Sequence, residues 1–480
     1  MNIAIVAKIL GKVIMCEGAL LFLPYITSII YKENTVANIF AFTILICIAI
    51  ALFMLLIKPK NDTMRVREGY VITALAWIVM SVFGSIPFIL TGAIPDPISA
   101  LFETVSGFTT TGASVISDVE DLPKGLLFWR SFTHWIGGMG VLVFILTLTN
   151  LKGGSNTNLM KAESTGAQVE KLVPRLQSTA KILYGIYILM TLIQIVFLLA
   201  GGMSVFDSIT TAFGTAGTGG FGIKNDSMAS YSPYLQNVVS VFMILFGISF
   251  SFYFLLLKGK FRRAAAMEEV KWYLIVIITA IVFILINCRG YFGSIGETAR
   301  HALFQVSSII TTTGYATTNF DLWPQLSRTI LVFLMFIGAC AGSTGGGIKV
   351  SRFLILFKTV KKEIKNYLHP QGVSKIKMDG KTVPHEVVRS INVFMVAYVL
   401  IYAVSLLLIT FDNHDLVTNF TAVAATLNNI GPGLDMVGPT SNFSIFSSGA
   451  KIVLIFDMLV GRLEIFPILL LFTRDTWRKV

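Results

Sequence analysis

A series of long apolar runs dominates this chain of 480 residues. A helix needs about 20 mostly apolar residues to cross the hydrocarbon core of a bilayer. Runs of that kind predict membrane spans near residues 3–30, 35–57, 69–91, 126–150, 179–201, 236–257, 271–288, 329–357, 389–411 and 446–472. Since 54% of the residues are hydrophobic and only 13% are charged, we expect an integral membrane protein and exclude soluble enzymes and disordered or collagen-like chains.

The first run is predicted to be a mature span rather than a signal peptide, because it carries Glu17 and lacks a small-residue cleavage site. The four cysteines are Cys16, Cys47, Cys288 and Cys340. They are scattered singly and form neither a disulfide framework nor a zinc-ligand spacing.

The basic residues predict how the spans are oriented. Most of the 38 Lys and Arg residues fall in the segments 1–12, 58–68, 151–181, 258–271, 349–389 and 474–480. By the positive-inside rule these segments are cytoplasmic, with both termini inside. The net charge of +12 is therefore explained by topology rather than by nucleic-acid binding. Acids outnumber bases on the opposite face, which would concentrate cations there, although scattered solvated carboxylates are an equal alternative.

A polar segment rich in glycine and threonine recurs four times, about a hundred residues apart. The copies read FETVSGFTTTGASV (102–115), FDSITTAFGTAGTGGFGI (206–223), FQVSSIITTTGYATTNF (304–320) and FTAVAATLNNIGPGLDMVG (420–438). Each copy follows one apolar span, precedes another, and is predicted to be a half-length helix that ends in a glycine loop on the outer side.

Non-helical backbone at membrane depth is tolerated only where it is buried in protein or lines a watery path. Four such loops around one axis could present carbonyl oxygens that replace the water shell of a cation. Glycine permits the backbone angles that this needs, and the negative ends of the half-helices favour a cation. The alternative is an ordinary helix C-cap or turn at each site, which four matching copies make less attractive.

These segments are what the chain shares with a known family. The sequence resembles the Trk/Ktr/HKT superfamily of potassium transport proteins, and within it the bacterial TrkH/TrkG type. The further motifs that carry the resemblance are GACAGSTGGGIKVSR (338–352), GRLEIFP (461–467), the two extra N-terminal spans and the stretch KLVPRLQSTAKILYGIY (171–187).

The resemblance implies an all-α polytopic membrane protein with a pseudo-fourfold pore. It divides the chain into a two-helix N-terminal extension (1–66), repeat 1 (67–153), repeat 2 (154–262), repeat 3 with a gating loop (263–366) and repeat 4 (367–480). It also implies a homodimer in the bacterial inner membrane and a cytosolic TrkA-type regulatory subunit. A nucleotide is expected on that subunit, and no organic cofactor is expected in this chain.

The family's potassium-binding filter maps onto three residues in each repeat. They are Thr110, Thr111 and Gly112; Thr218, Gly219 and Gly220; Thr312, Thr313 and Gly314; and Asn429, Ile430 and Gly431. The second repeat has an extra glycine relative to the family pattern, so its register stays open by about one position.

The span after the third loop is interrupted by GACAGSTGGG (338–347), since each glycine costs a helix about 1 kcal/mol relative to alanine. The family places a gate here, formed by Gly342, Ser343, Thr344, Gly345, Gly346 and Gly347. A kink or a small-residue packing face is the alternative, whereas a phosphate-binding loop is rejected because Ile348 precedes Lys349. Arg462 is predicted to line the pore and to hold it closed with this loop, or else to form a structural ion pair with Asp457 or Glu464.

Potassium uptake through a gated four-repeat filter is the leading functional hypothesis. A proton- or sodium-coupled symporter using the same repeats is the alternative. A membrane-embedded enzyme is a third hypothesis, but the sequence shows no cluster of acid, base or nucleophile residues that would support it. His134 is predicted to serve helix packing or a satisfied hydrogen bond rather than proton coupling.

Overall fold

Apolar helices of the predicted length form the frame of the molecule. The computed structural model describes residues 1–57, 65–140, 176–370, 372 and 374–478. Within that part of the chain, six helices are long and apolar enough to cross a membrane, and a bent pair makes up to seven. The predicted span 126–150 is described only as far as Gly140. The boundary between repeats 1 and 2 lies outside the described residues, as do residues 171–175 of the 171–187 stretch.

The N-terminal extension consists of two spans: α1 (Ile3–Leu20) and α2 (Phe22–Ile30) together form the first, and α3 (Asn34–Leu55) forms the second. Helix α1 lies close against α3 because small residues face the contact. A Cβ added at Gly18 would lie 3.2 Å from the Cβ of Cys47, and one at Gly11 would lie 2.9 Å from that of Met54. Small residues at helix contacts are the usual means of close packing in membranes.

Each repeat is built from a long helix, a half-length helix, a loop and a second long element. In repeat 1 these are α4 (Val66–Leu90), α5 (Pro97–Phe108) and α6 (Lys124–Gly138). In repeat 2 they are α7 (Leu176–Ala200), α8 (Val205–Gly217) and the pair α9 (Pro233–Phe246) and α10 (Phe250–Leu257), followed by the short α11 (Phe261–Ala265).

Repeats 3 and 4 follow the same plan. Repeat 3 contains α12 (Glu268–Asn287), α13 (Ile295–Ile310), α14 (Gln325–Ile337) and α15 (Val350–Leu368). Repeat 4 contains α16 (His385–Ile409), α17 (Leu416–Leu427), α18 (Ser448–Arg462), α19 (Phe466–Leu471) and α20 (Arg474–Trp477). Four 3₁₀ turns lie at Phe320–Leu322, Thr410–Asp412, Asp435–Val437 and Phe443–Ile445.

One small hairpin departs from the helical plan. Strands β1 (Lys377–Met378) and β2 (Lys381–Thr382) pair antiparallel between repeats 3 and 4. Asp379 and Gly380 both have positive φ at the turn, as an Asp-Gly hairpin requires. With this exception the described residues confirm the predicted all-α polytopic class.

The spans predicted near 236–257 and 446–472 each contain a break that the apolar runs did not indicate. The axes of α9 and α10 differ by 86°, and the break falls at Gly247, where an added Cβ would overlap the hydroxyl of Tyr273. In repeat 4, α18 ends at Arg462, and Glu464 and Ile465 have positive φ just before Pro467, which cannot continue a helix. The predicted interruption in repeat 3 is present between Ile337 and Val350.

The apolar core surrounds the half-length helices, and the remaining large apolar side chains lie on the outer surface of the long helices. The largest buried cluster joins the extension with repeats 1 and 4. The long helices leave large apolar side chains uncovered, among them Val196, Ile278 and Leu400. Apolar residues on the outside are expected where lipid, rather than water, surrounds the protein.

Candidate functional site: a ring of four glycine loops

The four half-length helices begin in the same way. In each, an N-cap side chain accepts a hydrogen bond from the main-chain N–H three residues further on, which satisfies one of the free donors of a helix start. The N-cap residues are Asp96, Ser204, Ser294 and Asp415. The short polar residues at these positions therefore fix where each half-helix begins.

The four half-helices also end in the same way. The residue two positions before the loop glycine has a positive φ in every repeat: Thr110 at 56°, Thr218 at 55°, Thr312 at 58° and Asn429 at 56°. The following N–H donates to the carbonyl five residues back, at 2.8 to 2.9 Å, in Thr111, Gly219, Thr313 and Ile430. Each half-helix thus ends in a left-handed cap. The helix C-cap and the glycine loop, which the sequence left open as alternatives, are both present in the same segment.

The loop glycines have positive φ as well: 79° at Gly112, 74° at Gly220, 86° at Gly314 and 102° at Gly431. We refer to the segments that end at these glycines as loops 1 to 4. Because both backbone markers recur at Thr218 and Gly220, loop 2 has the same backbone register as the other three.

The four loops close into a ring. A Cβ added at Gly112 would overlap the carbonyl oxygen of Gly219, one at Gly220 that of Thr313, and one at Gly314 that of Ile430. At Gly431 the added Cβ would lie 2.8 Å from the carbonyl oxygen of Thr111. Each glycine therefore faces the residue before the glycine of the next loop, in the order 1, 2, 3, 4 and back to 1.

All four glycines line one cavity of about 140 Å³, which we call the vestibule. Main-chain carbonyls brought together in this way can replace the hydration shell of a monovalent cation. Among the described residues no group of three or more His, Cys, Asp or Glu side chains could hold a metal ion. The described residues of loops 1 to 4 present main-chain carbonyl oxygens, and none of them is a carboxylate.

Side-chain oxygens at the left-handed positions differ between repeats. The Thr218 hydroxyl donates to the carbonyl of Gly217 at 2.6 Å, and the Thr312 hydroxyl accepts from the N–H of Gly346 at 2.6 Å. The Oγ1 of Thr110 and the Oδ1 of Asn429 are buried without a hydrogen-bond partner. The Nδ2 of Asn429 donates to the Thr111 hydroxyl at 2.9 Å.

Each boundary between neighbouring loops has its own contacts. Loops 2 and 3 are joined by the N–H of Met228, which donates to the carbonyl of Ala316 at 2.9 Å. Loops 4 and 1 are joined above the ring by the N–H of Phe443, which donates to the carbonyl of Ser114 at 2.8 Å. Loops 1 and 2 are joined by side chains of α6, among them His134.

His134 is buried and makes two hydrogen bonds. Its Nδ1 lies 2.8 Å from the carbonyl oxygen of Gly107, and its Nε2 accepts from the N–H of Phe221 at 3.3 Å. These partners assign the proton to Nδ1. The geometry is that of the satisfied hydrogen bond expected from the sequence.

Residues 338–349, which we call the 338–349 loop, lie directly against the ring. Besides the bond from Gly346 to Thr312, a Cβ added at Gly346 would lie 2.5 Å from the carbonyl oxygen of Asn428. One at Gly345 would lie 2.9 Å from that of Thr311. The loop therefore occupies the boundary between loops 3 and 4.

The 338–349 loop also supplies hydrogen-bond partners for the main-chain groups at the break between α9 and α10. The N–H of Cys340 donates to the carbonyl of Gly247 at 3.1 Å, and the N–H of Phe250 donates to the carbonyl of Gly342 at 2.9 Å. Groups freed by a helix break at membrane depth need partners of this kind. The two interruptions, in repeats 2 and 3, are thus one structural unit.

Arg462 reaches the 338–349 loop from α18. Its Nη1 donates to the carbonyl of Thr344 at 2.9 Å, and its Nη2 donates to the carbonyls of Gly137 and Gly138 at 2.5 and 2.9 Å. The two acids that the sequence offered as partners are engaged elsewhere. Asp457 accepts from Ser405 at 2.6 Å, and Glu464 pairs with Arg352.

Sequence reasoning missed two charged residues at this loop. Lys349 donates through Nζ to the carbonyls of Gly345 and Gly346. Glu269, from the first turn of α12, accepts from the N–H of Ala341 at 2.7 Å and from that of Ser351 at 3.1 Å, and so holds both ends of the loop. Lys349 was detectable as a charge two residues after the glycine run, whereas nothing in the sequence connects Glu269 with residues 72 and 82 positions later.

Acids lie at the vestibule end of repeat 4. Partial desolvation by neighbouring groups and the carboxylates of Asp415 and Asp321 raise the pKa of Asp435, which is exposed. Desolvation acts to raise the pKa of the exposed Asp415 too, but hydrogen bonds from Thr418 outweigh it, and the pKa is lowered. Two adjacent carboxylates with opposite shifts share protons unequally.

Comparison with known proteins gives consistent matches over the whole chain. Residues 35–478 match the family model TrkH, described as a cation transport protein. The Trk system potassium uptake protein TrkH of Salmonella typhimurium is 34% identical over 488 residues, covering all of both chains. The TrkG protein of the Escherichia coli Trk system is 32% identical, covering 100% of this chain and 99% of the relative.

The fold has a solved counterpart. The crystal structure of the potassium transporter TrkH from Vibrio parahaemolyticus superposes with a TM-score of 0.90 at 32% identity, covering all of both chains. The relatives are named as transport proteins, not as enzymes.

Proposed function

The chain belongs to the TrkH family of cation transport proteins, as its motifs predicted, and we propose that it takes up potassium ions through the ring formed by loops 1 to 4. One observation carries the proposal. Each loop glycine faces the carbonyl of the residue before the next glycine, all around the ring. The absence of a Cβ lets the four backbones approach in this way, and a ring of neutral backbone oxygens can replace the water shell of a potassium ion without a fixed charge.

The residues proposed to bind potassium are the three in each loop that the family motif indicates. Potassium is the cargo, and it would contact Thr110–Gly112, Thr218–Gly220, Thr312–Gly314 and Asn429–Gly431. The relatives' names, which specify potassium uptake, support potassium over other cations. Flux coupled to protons or sodium remains the alternative function, because a ring of this kind is compatible with either mode.

The 338–349 loop and Arg462 are proposed to form the closed gate. Residues Gly342–Gly347 lie on the ring at the boundary of loops 3 and 4, and Arg462 fastens Thr344 to Gly137 and Gly138. A positive charge beside the cation path would oppose cation flow. Opening therefore requires the loop and the guanidinium to separate.

A cytosolic TrkA-type subunit is proposed to drive that separation. The hairpin β1–β2 is fastened to the start of α12, because Glu268 and Asp379 exchange hydrogen bonds through their main-chain N–H groups and carboxylates. Glu269, the next residue, holds the 338–349 loop. A partner that moves this basic hairpin would pull on the gate through two adjacent residues. The homodimer and the bacterial cytoplasmic membrane, with both termini inside, are also proposed from the family and the distribution of Lys and Arg.

The test is flux of K⁺ and Na⁺ into liposomes that contain the purified protein, with Gly314→Ser beside the wild type. Gly290→Ser is the matched control, since Gly290 lies in the same repeat with a φ of 85° and no atom within 4 Å of an added Cβ. We expect cation flux down an imposed gradient that prefers K⁺ over Na⁺. This preference should be lost in Gly314→Ser and kept in Gly290→Ser. Flux that requires a proton or sodium gradient would favour the symporter, and no cation flux even with the regulatory subunit would overturn the proposal.

A further inference from the structure

An ion pair lies buried at the boundary between loops 1 and 2. The Nε of Arg130, from α6, lies 2.6 Å from Oε1 of Glu103, from α5. The Arg130 side chain is 3% exposed and that of Glu103 is 0% exposed. An ion pair removed from water in this way is retained only where its geometry and further hydrogen bonds repay the desolvation.

The guanidinium of Arg130 contacts the chain just beyond both loops. Its Nη1 donates to the carbonyl of Gly222, beyond loop 2, at 3.0 Å, and its Nη2 donates to the hydroxyl of Ser114, beyond loop 1, at 3.1 Å. The plane of the group lies over the Phe221 ring, 3.8 Å from its centroid. A fork of several donors is what distinguishes arginine from lysine in such a position.

Glu103 completes the junction on the side of loop 1. Its Oε2 accepts from the N–H of Val115 at 2.9 Å, and its Oε1 accepts from the hydroxyl of Ser114 at 3.1 Å. The carboxylate therefore fixes the chain just after Gly112, while the guanidinium fixes the chain just after Gly220.

His134, one helical turn after Arg130, fastens the same boundary lower down through Gly107 and Phe221. A Cβ added at Gly219 would overlap its ring, and one at Gly217 would overlap its main-chain carbonyl. The glycines that make loop 2 unlike the others thus make room for α6. The unusual sequence of loop 2 and the side chains of α6 form one arrangement.

The other repeats lack this arrangement. Aligning Gly137 with Gly247, Gly338 and Gly461 places Ser240, Leu331 and Leu454 at the position of Arg130. Aligning the loop glycines places Thr211, Gln305 and Ala422 at the position of Glu103. The charged junction is therefore specific to the boundary between loops 1 and 2.

We infer that Arg130, with Glu103 and His134, is a positioning element that sets the spacing of loops 1 and 2 and thereby the preference of the ring for potassium over sodium. The inference rests on the proposed function. Carbonyl oxygens of Thr111 and Gly219 belong to the two loops that the element joins. If that junction loosens, the oxygens can approach a smaller ion, and the discrimination between the two cations falls.

The experiment compares K⁺ and Na⁺ flux in liposomes for Arg130→Gln, Arg130→Lys and His134→Phe. For Arg130→Gln we expect the K⁺ to Na⁺ flux ratio to fall roughly tenfold, since Glu103 loses its partner and both loops lose a donor. Arg130→Lys keeps the charge beside Glu103 but cannot reach both loops, so the ratio should still fall, by about threefold. His134→Phe fills the same space without the two hydrogen bonds and should also lower the ratio by about threefold.

Arg300→Gln is the control, because it breaks an ion pair with Glu297 (3.9 Å) at the start of α13, the end of that half-helix opposite to loop 3. Its flux ratio should equal that of the wild type. A change of ratio with retained K⁺ flux marks positioning, whereas a merely structural role would lower the amount of folded protein and leave the ratio unchanged.

The outcomes separate the inference from the proposed function. If the wild type carries no cation, the proposed function fails. If the wild type prefers K⁺ and the folded Arg130→Lys and His134→Phe variants keep the wild-type ratio, the inference alone is overturned, even where Arg130→Gln fails to fold.

Discussion

Two glycine-rich regions lie in contact in this molecule, the ring of loops 1 to 4 and the 338–349 loop, and they differ in what holds them. The ring repeats one backbone conformation four times, and each loop is braced by the carbonyl of its neighbour. The 338–349 loop occurs once, and its form depends on side chains from other elements: Arg462, Lys349 and Glu269.

The difference concerns how easily each region can change. The ring is defined by four backbones, so added volume at any of its glycines strains it, whereas a side chain such as Arg130 acts only on the spacing of two neighbouring loops. A loop held by a few charged side chains can be released by moving one of them. Selection and gating would thus be separated between a symmetric and an asymmetric part, which the following substitutions test in order of expected effect.

The largest effect is expected for Gly220→Ala. The new Cβ would overlap the carbonyl oxygen of Thr313 at a φ of 74°, and overpacking of this kind costs about 1–3 kcal/mol or more. Gly202→Ala, in the same repeat with a φ of 84° and open space around it, should cost only about 1 kcal/mol. For both variants, thermal unfolding measures the loss of stability and liposome flux measures the K⁺ to Na⁺ ratio. Equal stability and equal flux ratios in the two variants would refute the steric account of the ring.

Arg462→Gln is expected to raise basal K⁺ flux without changing the flux ratio. Charge-assisted hydrogen bonds contribute about 1.5–3 kcal/mol each, and about 1.4 kcal/mol is a tenfold change in an equilibrium constant. Loss of the contacts to Thr344, Gly137 and Gly138 should therefore increase the open fraction by about tenfold or more. Arg389→Gln removes a positive charge from an exposed position at the start of α16 and is the control. Unchanged basal flux in Arg462→Gln would show that the guanidinium does not hold the gate.

Thr312→Val is expected to have a smaller effect of the same kind. It leaves the N–H of Gly346 buried without its acceptor, which costs about 1–3 kcal/mol and loosens the contact between gate and ring. Thr110→Val removes the same hydroxyl at the same backbone conformation, but the Oγ1 of Thr110 has no hydrogen-bond partner. The difference in basal flux between the two variants isolates the bond to Gly346, and no difference would mean that this bond plays no part in closure.

The smallest effect is expected at the vestibule end of the ring, where the pKa of Asp435 is raised. A carboxyl group with a raised pKa in the folded state favours folding below its ordinary pKa, 3.8, and this contribution is lost as the pH rises through the raised value. Asp435→Asn should therefore raise Tm slightly at neutral pH, by removing repulsion from Asp415 and Asp321, and the difference should vanish in acid. Thermal unfolding across pH checks this, and a lower Tm at neutral pH would contradict it.

The success of sequence reasoning depended on how local each feature is. The long spans were predictable from apolar runs, and the half-helices from the polar segment that recurs four times. The break at Gly247 was missed because it lies within an apolar run, and the break at Glu464 was missed although Pro467, three residues later, indicates one. The cause of the break at Gly247 is a distant side chain and backbone, Tyr273 and the 338–349 loop.

The same distinction applies within the site. The four glycines were identified from the sequence, since repetition marks them and their positive φ is a local property. Arg462 was noticed as a charge in a span, but its carbonyl partners were not predictable. Glu103 and Arg130 were each visible as charges, yet nothing in the sequence pairs them.

The sequence alone determined that the chain crosses a membrane, that it carries four copies of one unit, and that each copy ends in a left-handed glycine loop. Hydrophobicity, short polar caps and the absence of a Cβ act within a few residues, so they can be recognised in the chain itself. The tertiary structure decided the closure of the ring, the position of the 338–349 loop against it and the charged junction between loops 1 and 2. Those features join segments up to several hundred residues apart, and such contacts are set by packing geometry that no local pattern encodes.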